Sequence, residues 1–401
     1  MQALKNYYHL LQALIAISRL GHPAHKMVVI GVTGTDGKTT TSSLIYHILQ
    51  ETGHKAALIS TVAVYIGNEQ YDTGFHVSTP GSAQLQSYIL KAAKEGITHL
   101  VLEVTSHALD QHRVYGIPFK VGVLTNITRE HLDYHKTMDA YTKAKVKLLL
   151  ASSTVILNRD DASFAKVSPL LKQKKLITYG LTDIAEVTPQ NHHFTTHLTG
   201  HFNTSNILAA LAVCDALGID PAKSARAVTT FQLPEGRFDI VYDKDFRIII
   251  DFAHTPNALK NILKTVKSET KKGKIIHVFG SAGQRDAGKR PLMGQLSAQF
   301  ADTIVLTSED PRSESAESIA QEIIAGMPKN SINVEVITDR QTAITHAVIQ
   351  AKEGDTILIT GKGHEKSMNM GQGEVQWSDH EAVLTALQIR NSNIETRNKS
   401  K

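Results

Sequence analysis

The segment Val28-Val-Ile-Gly-Val-Thr-Gly-Thr-Asp-Gly-Lys-Thr-Thr-Thr41 limits what this chain can fold into more than any other stretch. The apolar run Val28 to Val32 reads as a buried strand that stops at glycines. From Thr39 onward, Leu44, Ile45, Ile48 and Leu49 fall at helical spacing. Strand, glycine turn, Lys-Thr and helix is the geometry of a phosphate cradle. Glycines let backbone N–H groups approach an anion, the helix start adds its dipole, Lys38 supplies a point charge, and Thr39 offers a hydroxyl to Mg²⁺. The cradle comprises Gly34, Thr35, Asp36, Gly37, Lys38, Thr39 and Thr40. Its spacing is the short Gly34-x-x-Gly37-Lys38-Thr39, because valine stands at position 32. An ordinary glycine-rich turn is the bland alternative, and the Lys-Thr pair favours a nucleotide.

Beyond Met27 strand and helix patterns alternate, which predicts an α/β fold with a mostly parallel sheet covered by helices. Strands are expected at Val28–Val32, Ala56–Thr61, Leu100–Val104, Val121–Thr125, Val155–Asn158 and Leu176–Tyr179. Helices are expected at Thr39–Thr52, Ser82–Glu95, Met138–Ser152 and Asn206–Leu217, with short antiparallel strands across 183–202. A second alternating unit starts near Phe238, after a boundary at Pro234-Glu-Gly236. A length of 401 residues suits two or three domains. In open parallel sheets ligands sit at the carboxyl ends of strands. Polar clusters fall at those ends: Glu103 to His107, Asn126 to His131, Asp251 to His254, Gly280 to Asp286, Glu309 to Arg312 and Gly361 to Glu365. Two domains with polar strand ends suggest chemistry in a cleft between them.

A net charge of +5 with scattered basic residues disfavours nucleic acid and suits anionic small molecules. The lone Cys214 lies in an apolar helical stretch and reads as a small core residue, with a reactive thiol as the alternative. One cysteine fits a reducing cytoplasm. The stripe Leu10, Leu11, Leu14, Ile15 and Ile17 within Tyr7–Leu20 is too short for a membrane span and lacks a signal-peptide pattern. Its expected fate is docking on the protein's own surface; a membrane surface or a partner protein is the alternative.

Taken together, Thr-Gly-Thr-Asp-Gly-Lys-Thr-Thr-Thr, Glu-Val-Thr-Ser-His-Ala-Leu, Thr-Asn-Ile-Thr-Arg-Glu-His-Leu-Asp-Tyr-His, Gly-His-Phe-Asn-Thr-Ser-Asn, Asp-Phe-Ala-His-Thr-Pro and Gly-Lys-Gly-His-Glu resemble the Mur ligase family, over residues 27–390. The set is most similar to the tripeptide synthetases of that family, which add the third residue to UDP-N-acetylmuramoyl-L-alanyl-D-glutamate. The resemblance implies a P-loop-type, mostly parallel central domain that binds ATP (27–236) and a Rossmann-like α/β C-terminal domain for the incoming amino acid (237–391). An N-terminal helix (1–26) precedes them and a polar, frayed tail (392–401) follows. It also implies a cytoplasmic, monomeric enzyme that uses ATP and Mg²⁺. A substrate carboxylate would attack the γ-phosphate, and an amine would then displace phosphate from the acyl phosphate.

Residue roles follow by the same resemblance. Glu103 and His131 become Mg²⁺ ligands, although a buried salt bridge is the alternative for Glu103 and a hydrogen-bonding role for His131. Lys145, in Tyr141-Thr-Lys-Ala-Lys-Val-Lys-Leu148, would be carbamylated and bind metal; a solvated helix face is its alternative, with Lys143 and Lys147 as solvent-facing controls. Asn206 helps hold the nucleotide, Arg237 reaches toward phosphate, and Asp251 contacts the ribose with His254 beside it. Asn203 could cap its helix, and Asp251 could do the same at the next. Ser78, Thr79, Thr105 and Arg113 would meet the muramoyl dipeptide, with Arg113 equally a surface arginine. Asp310, Arg312, Gly361 and Glu365 would meet the amino acid.

Family members that add meso-diaminopimelate carry Asp-Asn-Pro-Arg where this chain has Glu309-Asp310-Pro311-Arg312. The arginine that grips the distal carboxylate is kept, so diaminopimelate is favoured, while the carboxylate of Asp310 departs from the pattern. The family's usual UDP-binding domain has no counterpart in residues 1–26. That leaves three expectations: recognition through peptide and sugar, a partner docking on the N-terminal stripe, or another acceptor, as in the folate-polyglutamylating relatives. A nucleotide-binding regulator without catalysis is a further alternative, and it would have lost Lys38, Glu103 or Lys145.

Overall fold

Strands with apolar residues on both faces need cover on both faces, and the alternation of strand and helix supplies it. The computed structural model describes residues 2–71, 79–182, 184–329 and 332–399. It divides into two units, Met1–Thr128 with His135–Pro234, and Arg129–Tyr134 with Glu235–Lys401.

The first unit is built on β1 (Val28–Thr33), β2 (Ala56–Ile59), β3 (Val64–Ile66), β4 (Glu69–Tyr71), β5 (His99–Glu103), β6 (Phe119–Leu124), β7 (Thr154–Asn158) and β8 (Lys175–Tyr179). They form one sheet in the order β4-β3-β2-β5-β1-β6-β7-β8. From β2 to β8 along that order the neighbours are parallel, and β3 and β4 extend the β2 edge as antiparallel strands. The chain leaves β1 toward β2 and later returns to its other side as β6. This makes the carboxyl end of β1 a switch point, where side chains from flanking strands converge. Register places Glu103 beside Val32 and Leu124 beside Thr33.

The helices of this part of the chain are α1 (Gln2–Leu20), α2 (Lys38–Glu51), α3 (Ser82–Lys94), α4 (Ser106–Asp110), α5 (Leu132–His135), α6 (Met138–Ala151), α7 (Phe164–Val167), α8 (His201–Leu217) and α9 (Pro221–Thr230). Helix α8 is apolar almost all round, from Ile207 to Cys214, because it is buried against α2, α9 and the sheet. A second core, holding Leu85, Ile89 and Leu102, fills the other face.

The second unit carries β9 (Asp239–Asp243), β10 (Arg247–Asp251), β11 (Ile275–Phe279), β12 (Thr303–Leu306), β13 (Asn333–Val336) and β14 (Thr356–Thr360) in the order β13-β12-β11-β14-β10-β9. All neighbours are parallel except β9. A separate hairpin pairs β15 (Ser367–Asn369) with β16 (Glu374–Gln376). The remaining helices are α10 (Pro256–Glu269), α11 (Arg290–Phe300), α12 (Ala316–Ile324), α13 (Arg340–Gln350) and α14 (Asp379–Lys399). The fully buried Arg340 at the start of α13 grips Asp379 at the start of α14 with bonds of 2.7 and 2.8 Å. It also donates to the carbonyls of Ser308 and Thr360, fixing the chain just past β12 and at the end of β14.

Four expectations are corrected. Among the described residues of 183–202 no strand pair forms; Val187 makes one isolated parallel bridge to Tyr179, and α8 already starts at His201. Asn203 therefore lies inside the first turn of α8 rather than capping it. The tail expected to fray continues α14 as far as Lys399, an extension its polar sequence hid. The N-terminal helix packs against α3 on the protein's own surface, as expected, with Ala13, Ala16 and Ile17 buried; the correction concerns Leu11, Leu14 and Ile15 of the stripe, which stay exposed. No described helix is long and apolar enough to cross a membrane.

Candidate active site

Backbone geometry at the end of β1 makes the first element of the site. Gly37 adopts φ +78° directly before α2, and a Cβ there would lie 2.4 Å from Asn206 Oδ1. Glycine is required twice over, by conformation and by space. Glycine in the capping position gives α2 no side-chain cap, and the start of a helix is a ready place for an anion. The loop is braced from the neighbouring strand. Asp36 N donates to Asn126 Oδ1 at 2.9 Å, Thr125 Oγ1 donates to Asp36 O at 2.6 Å, and Thr35 N donates to Asn126 O at 3.0 Å. Lys38 folds back so that Nζ donates to Thr35 O at 2.9 Å. Thr41 Oγ1 donates to Asn206 Oδ1 at 3.2 Å, which ties α8 to the loop, and Thr40 is buried beside it.

Glu103 ends β5 in the same place, and it is 1% exposed. A buried carboxylate needs partners. Thr39 Oγ1 donates to Oε2 at 3.0 Å, Thr61 N to Oε2 at 3.1 Å, and Thr61 Oγ1 to Oε1 at 2.8 Å. Among the described residues no salt bridge accounts for this carboxylate; its donors are hydroxyls and an amide. Thr39 and Glu103 together offer the hard oxygen donors that suit Mg²⁺. Among the described residues no set of three or more His, Cys, Asp and Glu side chains could hold a metal. Mg²⁺ typically takes one or two carboxylates and completes its shell with phosphates and water.

Lys145 is buried on α6, whereas Lys143 and Lys147 are solvent-facing and pair with Asp139 and Asp110. Its Nζ donates to Gly34 O at 2.6 Å and lies 4.6 Å from the Tyr141 ring centroid. Burial, reinforced by Lys38 nearby, holds the Lys145 amine well below the usual lysine range. The solvated-face alternative fails for this lysine alone. Tyr141 in turn meets Thr35 through its hydroxyl at 3.1 Å.

Beside this centre stand Thr79, Thr105 and Arg113. Thr79 Oγ1 donates to Glu103 O at 3.0 Å, Thr105 N donates to Thr79 Oγ1 at 3.2 Å, and Arg113 Nη1 donates to Thr79 O at 2.8 Å. Thr105 also caps α4 by accepting from Ala108 N. Arg113 is therefore part of a built cluster rather than a loose surface side chain. Ser78 lies outside the described residues.

The second unit assembles its own site past β12 and β14. Arg312 donates from Nη1 to Gly283 O at 2.7 Å and lines a cavity of ≈ 360 Å³ with Ser308, Glu314, Thr338 and Met370. Asp310 accepts from Lys362 Nζ at 2.9 Å and from Asn369 N at 3.0 Å. The fully buried Lys362 also bonds Glu365. The carboxylate that departs from the family pattern is thus engaged with a lysine and the β15 backbone. Gly361 has φ +106°, and a Cβ there would sit 2.1 Å from Glu309 Oε2. Burial pushes the Glu309 carboxyl up to about 8, and among the described residues Oε2 has no hydrogen-bond partner.

Asp251 accepts from Phe238 N and Ala253 N, both at 2.7 Å, while Thr255 caps α10. The helix-cap alternative for Asp251 is thereby corrected. Arg237 lies 4.4 Å from the Phe252 ring centroid, and His254 Nδ1 is 2.8 Å from Phe252 O. His131 belongs to the second unit, in the segment Arg129–Tyr134, and has φ +57°. Cys214 is buried, its thiol pushed up to about 12 chiefly by burial, which leaves it inert.

Sequence reasoning gave Thr61 and Thr125 no individual role, and Asn126 none beyond opening a polar cluster at a strand end. All three follow strand ends at the carboxyl edge of the sheet, and that position was the available signal.

Comparison with known proteins shows the family of this chain. The model of the Mur ligase middle domain matches residues 32–214, and that of the Mur ligase, glutamate ligase domain matches 236–363. A UDP-N-acetylmuramoyl-L-alanyl-D-glutamate–2,6-diaminopimelate ligase of Geobacillus kaustophilus is 37% identical, over 94% of this chain and 82% of its own length. A solved structure of an enzyme of that name is 32% identical with a TM-score of 0.61, covering 91% of this chain and 79% of its own. The folylpolyglutamate synthase of Mycobacterium tuberculosis, solved with ADP and AMPPCP, has a TM-score of 0.69 over 88% of this chain and 92% of its own; at 15% identity it shows the fold alone. The chain belongs to the Mur ligase family.

Proposed function

We propose that this protein is an ATP-dependent amide-bond ligase that adds meso-diaminopimelate to UDP-N-acetylmuramoyl-L-alanyl-D-glutamate in peptidoglycan synthesis. The meeting of Thr39 and Glu103 at 3.0 Å, where α2 starts and β5 ends, carries the nucleotide half of this reading. Relatives bearing that enzyme's name over most of the chain carry the substrate half.

The acceptor carboxylate attacks the γ-phosphate, and the bond to ADP breaks. The diamino acid's amine then attacks the acyl carbon, loses a proton, and expels phosphate from a tetrahedral intermediate. Both steps concentrate negative charge, so fixed cations and oriented N–H groups give the largest benefit. Lys38 and the first N–H groups of α2 receive phosphate oxygens, and Asn206 keeps the loop in shape. Thr39 and Glu103 are the residues that would hold Mg²⁺. Held there, the ion would supply Lewis-acid neutralisation of phosphate charge. Burial favours the neutral form of the Lys145 amine, the form that captures CO₂ with loss of a proton, and the resulting carbamate would offer the metal a further anion.

Thr79, Thr105 and Arg113, with Ser78, are assigned to the acceptor. In the second unit Arg312 and Glu365, with the Gly361 turn, are assigned to the diamino acid, and Arg237 and Asp251 to the nucleotide. His131 is assigned a metal-directed role. Asp310, held by Lys362, acts on the amino-acid site through that lysine. The enzyme is read as cytoplasmic and monomeric.

The test is phosphate release from ATP and Mg²⁺ with the UDP-muramoyl dipeptide, diaminopimelate and lysine being supplied separately. Release that needs both the acceptor and diaminopimelate is expected. Release only with a pteroyl acceptor would overturn the reading.

A further inference from the structure

Residues Arg129–Tyr134 lie in sequence between two stretches of the first unit, yet they pack as part of the second. Their attachment is ionic. Lys289, 2% exposed, places Nζ 3.1 and 3.3 Å from the two carboxylate oxygens of Glu130, itself 5% exposed. Arg129 forms a fork on Asp286 with bonds of 3.1 and 3.2 Å, and Arg285 reaches Asp133 at 3.8 Å. Asp286 shapes the partner turn as well, accepting from Gly288 N at 3.0 Å.

Between these clamps sits His131, whose φ of +57° is uncommon for a residue with a side chain. Tyr134 N closes the turn by donating to His131 O at 3.2 Å. Lys289 also acts on the buried Glu309, whose carboxyl burial pushes up to about 8, but the carboxylate in direct contact with Lys289 is that of Glu130. A buried ion pair adds little net stability, because desolvation offsets attraction; its attested use is to fix register.

We propose that Glu130 and Lys289 are a positioning pair that pins the His131 turn to the loop following β11. This rests on the metal-directed role assigned to His131. Neither member of the pair touches reactants; they act through the histidine.

The full chain is tested as Glu130→Gln, Lys289→Met and the double variant. The neutral double variant leaves no unpaired buried charge, so it folds even where a single variant does not. The first readout is amide hydrogen exchange of residues 129–134 without nucleotide or metal. At least tenfold faster exchange is expected in the double variant, with the rest of the second unit unchanged; wild-type protection of 129–134 would overturn the proposal. The second readout is Mn²⁺ affinity in the presence of ADP, followed by electron paramagnetic resonance, expected to weaken about tenfold. The third is a cycle with His131→Ala. In that background the double substitution is expected to cost no further turnover, and a full additive loss would refute action through His131. Wild-type turnover of His131→Ala itself would defeat the role given to the histidine, while the exchange readout still decides whether the pair holds the turn.

Discussion

Replacing Glu103 with glutamine separates what this side chain does for the fold from what it does for the phosphate centre. In the structure its two oxygens accept three bonds, from Thr39 Oγ1 at 3.0 Å, Thr61 N at 3.1 Å and Thr61 Oγ1 at 2.8 Å. Glutamine has the same shape and keeps one carbonyl oxygen for two of those donors. The Thr61 hydroxyl can turn to accept from the new amide. The change exchanges charge-assisted bonds for neutral ones, a difference of about 1 kcal/mol each, and no cavity opens. Unfolding in urea should therefore shift by only ~1–3 kcal/mol. Turnover should fall much further. Removing one group that stabilises transition-state charge costs about 10²–10³ in rate, or ~3–4 kcal/mol. Here a metal-directed anion is lost as well, so a loss of at least about a hundredfold is expected. The assay is phosphate release across a Mg²⁺ titration, with Lys143→Gln on the exposed face of α6 as control. Wild-type turnover with an unchanged Mg²⁺ requirement in Glu103→Gln would refute the reasoning.

Three other outcomes follow from the same geometry. Lys145→Ala should abolish turnover, with partial recovery on adding a small carboxylate, and bicarbonate depletion should slow the wild type; a depletion-insensitive enzyme would argue against carbamylation. Arg312→Ala should raise KM for diaminopimelate about tenfold or more while leaving ATP binding intact, since a charged bond is worth ~1.5–3 kcal/mol; equal impairment with every amine would remove its recognition role. Glu309→Gln should flatten stability against pH. The folded carboxyl titrates near 8 and the unfolded one near 4.5, so between those values the native state holds the extra proton. Wild-type stability should thus fall as pH rises through that window, by up to about 1.4 kcal/mol per unit. A variant with the same slope as wild type, followed by urea unfolding, would place the titration elsewhere.

What could be read from the sequence was whatever is local to the chain. The cradle was legible because Gly34 to Thr40 is one continuous turn whose glycines and lysine announce their conformation and charge. The central strands were legible because burial on both faces leaves unbroken apolar runs, as in Val28–Val32. Strand β9 was missed because it is an edge strand with half-exposed residues, and β3 and β4 because three residues carry no period. Helix α9 had a signal that went unused: Asp220 caps it and Pro221 opens it.

The partners within the site were illegible for a different reason. Thr61 lies 42 residues before Glu103, and Asp36 lies 90 before Asn126; sheet order joins them, and no pattern encodes it. The same holds for Asp310. As a sequence feature it was an extra charge beside Arg312, and only the fold reveals Lys362 beneath it. Lys145 shows both limits at once. Three lysines at alternate positions look alike in sequence, and the turn of α6 buries the middle one.

The most direct test of the account follows oxygen from acceptor to phosphate. Acceptor labelled with ¹⁸O in its D-glutamyl carboxylate is turned over with ATP, Mg²⁺ and diaminopimelate, and the phosphate released is weighed by mass spectrometry. One labelled oxygen is expected in each phosphate, because the attacking carboxylate oxygen leaves with phosphorus when the amine takes its place. Unlabelled phosphate alongside normal amide formation would contradict an acyl phosphate and the site roles built on it.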